Sequence, residues 1–433
     1  MDNTSFGRLL VVQVAALGYE LAKDYPEVVS DLGLQFQPLE SDFPAVTCTS
    51  QATLRTSLSP SEHGIICNGL YHRAQSAVDF WNQSARLLPQ QRFWREFRQS
   101  GKRVGTVCYQ QSLGDPEVDL MLSPAPIHKH SGGIIQDCYS IPGDLYEKLC
   151  NRIGRPFNLF HYWGPFSSIK STRWIRQATT EIMHDKSLAP ELLFTYFPHL
   201  DYALQKYGPS NVKKTRNALR DVIAELRALV DAAQDAGYEV IIAGDYAISD
   251  AEQVVLPNRI LREAGIFNTR SLRGKTYADL YSTPAFAMVD HQIAHVFVRD
   301  SSRVKKEEVM ELFRDKTGVA TVTEGRELLD HHNSGEIVLV ASPGSWFAYP
   351  WWDEKGEAPD YASHIDIHNK IGFDPCELFL DNIFPLRVTQ DTSKVKGTHG
   401  RADKPVALAS TFHLSQTPSR YRDLPSVINQ NLG

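Results

Sequence analysis

Two nearly unbroken apolar runs, 191–197 (ELLFTYF) and 238–243 (YEVIIA), flank a segment, 212–236, whose Ala218, Leu219, Val222, Ile223, Leu226, Leu229 and Val230 recur at helical spacing. No other feature of the chain limits its fold as much. A run that is apolar throughout, rather than alternating, suits a strand covered on both faces. A helix between two such strands carries the chain back to begin a parallel neighbour. The runs 9–16 (LLVVQVAA), with Gln13 as its one polar interruption, and 103–109 (RVGTVCY) have the same character. The expected frame is therefore α/β, a mostly parallel sheet with helices on its faces.

In open sheets of this kind ligands sit outside the carboxyl ends of the strands, so the residues after Ala16, Phe197 and Ala243 are the first candidates for a site. Further along, 286–289 and 295–298 read as short strands. A helix over 305–315, a β-like run at 319–322, another helix and a strand at 336–341 follow. This suggests a single core over 1–433 with a small α+β insertion at 301–380. Residues 110–190, rich in Pro, Gly, Ser and aromatics and without clean periodicity, are expected to cap the sheet's carboxyl edge. The last forty residues, polar and Pro-containing, are expected to wrap the core.

With 433 residues, 22% of them charged and 42% hydrophobic, the chain has ordinary globular composition and can bury a large core. A net charge of −6 without a concentrated basic face argues against nucleic acid as a bulk partner. Six cysteines without CxxC spacing fit reduced, mostly buried thiols and hence a cytoplasmic setting. The apolar run after Arg8 is short for a signal peptide, and no stretch approaches the ~20 apolar residues that span a bilayer, so no membrane partner is expected.

The most specific stretch is 43–73, FPAVTCTSQATLRTSLSPSEHGIICNGLYHR. By itself it reads as a Ser/Thr-rich helix start and a Pro-containing turn, and any one Thr in it is an ordinary N-cap candidate. As a whole it resembles the nucleophile region of the nucleotide pyrophosphatase/phosphodiesterase branch of the alkaline phosphatase superfamily. There a nucleophilic Thr opens a helix, a T-G-x-x-P-x-x-H-G-I element follows, and an Asn lies just beyond. On that resemblance Thr47 takes the nucleophile position and Asn68 the position that holds a phosphate oxygen; in the element itself only Ser57 departs, where the family prefers Gly. The chemistry suits these types: a helix N-terminus favours an anion, an amide donates to developing charge, and a hydroxyl needs activation, normally by a metal. Segments 199–209 (HLDYALQKYGP), 241–249 (IIAGDYAIS) and 396–400 (KGTHG) carry the resemblance onward. Segments 290–298 and 364–379 resemble parts of a bacterial subgroup of the same branch.

The resemblance implies a three-layer α/β/α sandwich and a two-metal site. The family's first metal takes Asp, His and His, matched here by Asp201, Gln205 and His399. The second takes Asp, Thr, Asp and His, matched by Ala15, Thr47, Asp245 and Tyr246. Asp201, Asp245 and His399 are thus the retained candidate ligands, and Ala15, Gln205 and Tyr246 the replacements. Gln and neutral Tyr are weak zinc ligands, so the implied cofactor is one divalent ion, zinc, rather than two, with a metal-free pocket as the alternative. His364 and His368, flanking Asp366, could complete the shell, although a loop histidine is more often simply hydrogen-bonded. Tyr71, His291 and His295 are candidates for contacting substrate. Trp163, Trp346, Trp351 and Trp352 could line a pocket, against the commoner core role of such residues. The expected activity is that of a divergent metal-dependent phosphodiesterase or pyrophosphatase-like hydrolase with a Thr nucleophile, acting on a small phosphorylated or polar molecule. The replaced ligands leave two alternatives: a repurposed lyase, cyclase or transferase of a biosynthetic pathway, or a non-catalytic binding protein. The oligomeric state is not legible.

Overall fold

The computed structural model describes residues 6–365, 370–381, 387–414 and 416–432. Leu9–Val14 (β1), Gln37–Leu39 (β2), Val104–Val107 (β3), Leu120–Pro124 (β4), Cys138–Ile141 (β5), Leu192–Phe197 (β6) and Glu239–Gly244 (β7) join a main sheet. Ala285–Asp290 (β8), Ile293–Val298 (β9), Val319–Glu324 (β10) and Ile337–Ala341 (β11) form a smaller one, and Val406–Ser410 (β12) returns to the first. The main sheet runs β2-β12-β7-β1-β6-β3-β4-β5. Its centre, β7-β1-β6-β3-β4, is parallel, and antiparallel strands close both sides.

The apolar runs become the middle of this sheet because only there are both faces covered. Every residue of β1 and of β6 is buried. At about 1.5–3 kcal/mol for each fully buried Val, Leu or Phe, no other position in the fold would reward such sequences as well. Gln13 is tolerated in β1 because its Nε2 donates to the Tyr421 hydroxyl at 2.8 Å. The helix between β6 and β7, Val212–Asp235, buries the predicted stripe and is started by the Asn211 side chain, which accepts from the Lys214 amide. Glu225 lies within that stripe and is matched by Arg173 and Arg176 of the adjoining helix Ile169–His184.

The region expected to cap the sheet contributes to the frame as well as covering it: β4, β5 and the helix Ile169–His184 all come from 110–190. Its strands are short and Pro-flanked, which leaves little periodicity to read. In the C-terminal part, β12 is a strand of the main sheet paired with β7 and β2, a role that its five residues did not disclose. The smaller sheet, all antiparallel in the order β8-β9-β11-β10, takes its first two strands from before residue 301 and has a core of its own. All six cysteines are free thiols, five of them buried and Cys150 partly so. Among the described residues no helix is long and apolar enough to cross a membrane.

Candidate active site

The nucleophile candidate sits on an unusual helix. Thr47–Thr56 (α1) reads TCTSQATLRT, yet all ten of its residues are buried. Such a polar helix can be buried only if its side chains find partners. The Ser50 hydroxyl donates to the Asp245 carbonyl at 2.7 Å, and Thr53 Oγ1 bonds His63 Nε2 at 3.0 Å. Gln51 Oε1 accepts from the Gln110 amide at 2.7 Å, and Arg55 Nη1 donates to the Gln111 carbonyl at 3.0 Å. These bonds clamp α1 onto the carboxyl edge of the sheet. Ser57 ends the helix in the left-handed region at φ 61°, a conformation glycine adopts more easily, which accounts for the Gly expected there.

Thr47 is the first residue of α1 and lies beside Tyr196 and Tyr246. Asn68 stands one layer behind. Its Oδ1 accepts from the Cys48 amide at 3.0 Å, while its own amide and Nδ2 donate to the two oxygens of Asp290, at 2.7 and 3.2 Å. Burial pushes the Asp290 carboxyl up to about 7 against the opposing pull of those bonds. Asp290 is one residue beyond the apolar run 286–289, and no periodic signal marks this role.

The retained and replaced positions meet around Asp201. Gln205 Nε2 donates to Asp201 Oδ1 at 2.7 Å, one helical turn away on His199–Tyr207, and the Tyr246 hydroxyl donates to the same oxygen at 2.8 Å. Burial raises the Asp201 carboxyl to about 6, the two bonds opposing it. Tyr246 also stacks on His399, with ring centroids 3.7 Å apart and planes within 9°. His399 in turn lies 3.9 Å from the ring of His291 and bonds the Ala45 carbonyl through Nδ1 at 2.9 Å. Gly400, at φ 121°, lets the chain leave this crowded corner. Burial holds His399 down to about 3 and His291 well below the ordinary imidazole range. Asp245 Oδ1 accepts from the Ala16 amide at 3.1 Å, and burial raises its carboxyl well above the usual range. Ala15 is itself buried, presenting a methyl where the resemblance implies a carboxylate.

The donor set departs from the implied one at Ala15, Gln205 and Tyr246. Asp201 spends one oxygen on two of these replacements and His399 is stacked between two rings, while Asp245 Oδ2, Gln205 Oε1 and His291 Nδ1 are buried without a hydrogen-bond partner. Among the described residues no group of three or more His, Cys, Asp or Glu side chains is disposed to hold an ion. His364 is exposed, with Nδ1 against the Asp360 carbonyl, and His368 lies outside the described residues.

A cavity of about 210 Å³ opens in front of Thr47. Its inner end is polar: Thr47, Asp201, Gln205, Tyr246, His291 and His399. Its outer end is largely aromatic, with Trp81, Trp163 and Phe373 in mutual contact at centroid separations of 5.4–5.6 Å. Of the substrate-contact candidates only His291 lines it. Tyr71 packs between Phe286 and Phe297, and His295 is held by the Ile66 carbonyl and the Ser334–Gly335 turn, so both serve the core of the smaller sheet. Of the four tryptophans considered, Trp163 lines the cavity while Trp346, Trp351 and Trp352 are core. Trp81 and Phe373 were missed, since a lone aromatic in a loop carries no periodic signal.

Comparison with known proteins agrees with this architecture. A phosphonoacetate hydrolase from Sinorhizobium meliloti 1021, bound to phosphonoformate, superposes with a TM-score of 0.60 at 14% identity, covering 99% of this chain and 96% of that one. Murine ectonucleotide pyrophosphatase/phosphodiesterase 5 gives 0.59 at 13% identity, covering 98% and 95%. The human counterpart gives 0.59 at 12%, with the same coverage. No curated protein sequence matches the chain. The family description type I phosphodiesterase / nucleotide pyrophosphatase matches residues 30–374. The chain is thus a member of the type I phosphodiesterase / nucleotide pyrophosphatase family, whose members are phosphoric-ester hydrolases.

Proposed function

We propose that this chain hydrolyses a small organophosphorus ester with Thr47 as nucleophile, activated through Tyr246 and Asp201. The observation that carries the reading is that Thr47, Tyr246 and Asp201 line the inner end of one cavity, with the Tyr246 hydroxyl donating to Asp201 at 2.8 Å. Members of the family typically depend on a divalent metal, zinc foremost. Here Gln205 and Tyr246 are bonded to Asp201, and that buried carboxylate serves as the terminal proton acceptor.

In the first step Thr47 Oγ1 bonds phosphorus as the bond to the leaving oxygen breaks. The Thr47 proton passes to Tyr246, whose own proton passes to Asp201. The leaving group departs as an alkoxide or aryloxide and takes its proton from solvent. Water then cleaves the phosphothreonine ester, restoring Thr47, and Asp201 releases the proton. The position of Thr47 at the start of α1 adds the partial positive charge of the helix N-terminus, which favours the charge gathering on phosphorus. Asn68 acts on this reading by fixing the first turn of α1 from behind.

The test is turnover of bis(4-nitrophenyl) phosphate and of an aryl phosphonate ester by the chelator-treated protein, beside Thr47→Ala and Asp201→Asn. Loss of turnover in both variants is expected. Unchanged activity in Thr47→Ala would sink the proposal, and so would an absolute requirement for added metal. A second reading, group transfer to an acceptor other than water, draws on the aromatic outer cavity, which favours an organic acceptor. Product analysis in the presence of simple alcohols separates the two.

A further inference from the structure

The cavity lacks what a phosphate-rich ligand needs. Among the described residues no Lys or Arg side chain lines it, and its one carboxylate is Asp201. Its two imidazoles, His291 and His399, face each other at 3.9 Å, a separation at which two positive rings would repel strongly. A phosphomonoester carries about −1.5 to −2 charge at pH 7, and a polyphosphate more, so either would enter beside a carboxylate with no Lys or Arg among the lining residues.

The outer end offers the opposite. Trp81, Trp163 and Phe373 form one aromatic wall, and Phe373 continues it to His291 at 5.2 Å. Trp81 is held at φ 56°, a backbone conformation costly for a bulky residue, with its amide donating to the Asn68 carbonyl at 3.0 Å. Strain of that kind persists where the surroundings fix it, often at a ligand clamp. The wall also leads outward to an apolar rim. Pro126 lines the cavity and is followed by Ile127, which pairs with Ile135; the next residue, Gln136, accepts from the amide of Leu159, another lining residue, which precedes Phe160. Ile127, Ile135 and Phe160 are 54%, 49% and 48% exposed, an unusual grouping at the mouth of a cavity.

We propose that the pocket selects esters carrying a flat or extended apolar group and at most one negative charge at phosphorus, and discriminates against phosphomonoesters and nucleoside polyphosphates. The proposal rests on the reading above only in taking the Thr47 end as the reacting end. It assigns Trp81 as the residue that sets specificity, by stacking on the apolar group.

Calorimetric titration of the full chain, as wild type and as Thr47→Ala, tests it with bis(4-nitrophenyl) phosphate, 4-nitrophenyl phosphate, AMP and ATP. The singly charged diaryl ester should bind at least tenfold more tightly than any of the other three. Trp81→Ala should lose at least tenfold of that affinity and Trp81→Phe should recover most of it. Equal or tighter binding of the monoester or of either nucleotide overturns the proposal. So does the failure of the diaryl ester to bind, or an unaltered affinity in Trp81→Ala. Tight, selective binding without turnover would count against Thr47 hydrolysis and leave the selectivity standing. Turnover with a preference for the dianion would do the reverse.

Discussion

Tyr246 stands where the resemblance implies His, and its phenol donates to Asp201 while its ring stacks on His399. Tyr246→Phe keeps the stack and removes the proton path. It should lower kcat by about 10²-fold with little change in KM, the scale usual for loss of a positioned acid–base group, as steady-state kinetics would record. The neighbouring replacements allow the converse experiment. Ala15→Asp, Gln205→His and Tyr246→His combined return the family's ligand types, and the purified triple variant should gain at least one equivalent of zinc over wild type by elemental analysis. No gain would mean that the backbone around Asp201 and Asp245 has also moved away from a metal-binding arrangement.

On the scale of elements, α1 joins sequence motif to site, and its stability depends on polar bonds more than on apolar area. Arg55 is 1% exposed and bonded to two carbonyls. Arg55→Ala should therefore cost about 3 kcal/mol by denaturant unfolding, the combined effect of a cavity and two abandoned acceptors. The central strands, the 212–236 helix and the placement of the site at the carboxyl edge were legible, because continuous apolar runs and helical periodicity are local signals. That Thr47, Asp201 and His399 lie together at one cavity follows from motif order. That Gln205 and Tyr246 would turn inward to Asp201 was not legible, since a replaced ligand shows only what is lost and not which bonds take its place. Nor was Asp290 found. Its partner Asn68 is far away in sequence, and only the fold of the smaller sheet brings them together.

At the scale of the whole molecule the two sheets have separate apolar cores, yet they meet at the Asn68–Asp290 bonds and at the turn after β8, where the Gln292 amide donates to the His399 carbonyl at 2.9 Å. This junction has a pH signature. Burial raises the Asp290 carboxyl from an ordinary value of 3.8 to about 7, so the folded chain holds that proton more tightly than the unfolded one. Its contribution is complete below about pH 4, falls as the pH rises toward 7 and is constant above. The stability difference between wild type and Asp290→Asn should accordingly shift against the wild type from pH 5 to pH 8, measured as urea midpoints. A difference independent of pH would show that Asp290 is not protonated in the folded chain.

The free thiols, buried at many levels of the fold, make the native protein its own opening clock. Cys48 and Cys67 lie where α1 meets the smaller sheet, Cys108 at the end of β3, and Cys138 and Cys150 near the outer edge beyond β4. Burial raises each of these thiols above its ordinary range and so suppresses the reactive thiolate while the chain is closed. Pulsed alkylation read by mass spectrometry should therefore label Cys150 first, then Cys138, and Cys48 and Cys67 last and together. A ligand seated in the aromatic cavity should slow the last pair most, so the order of labelling reports which part of the molecule yields first.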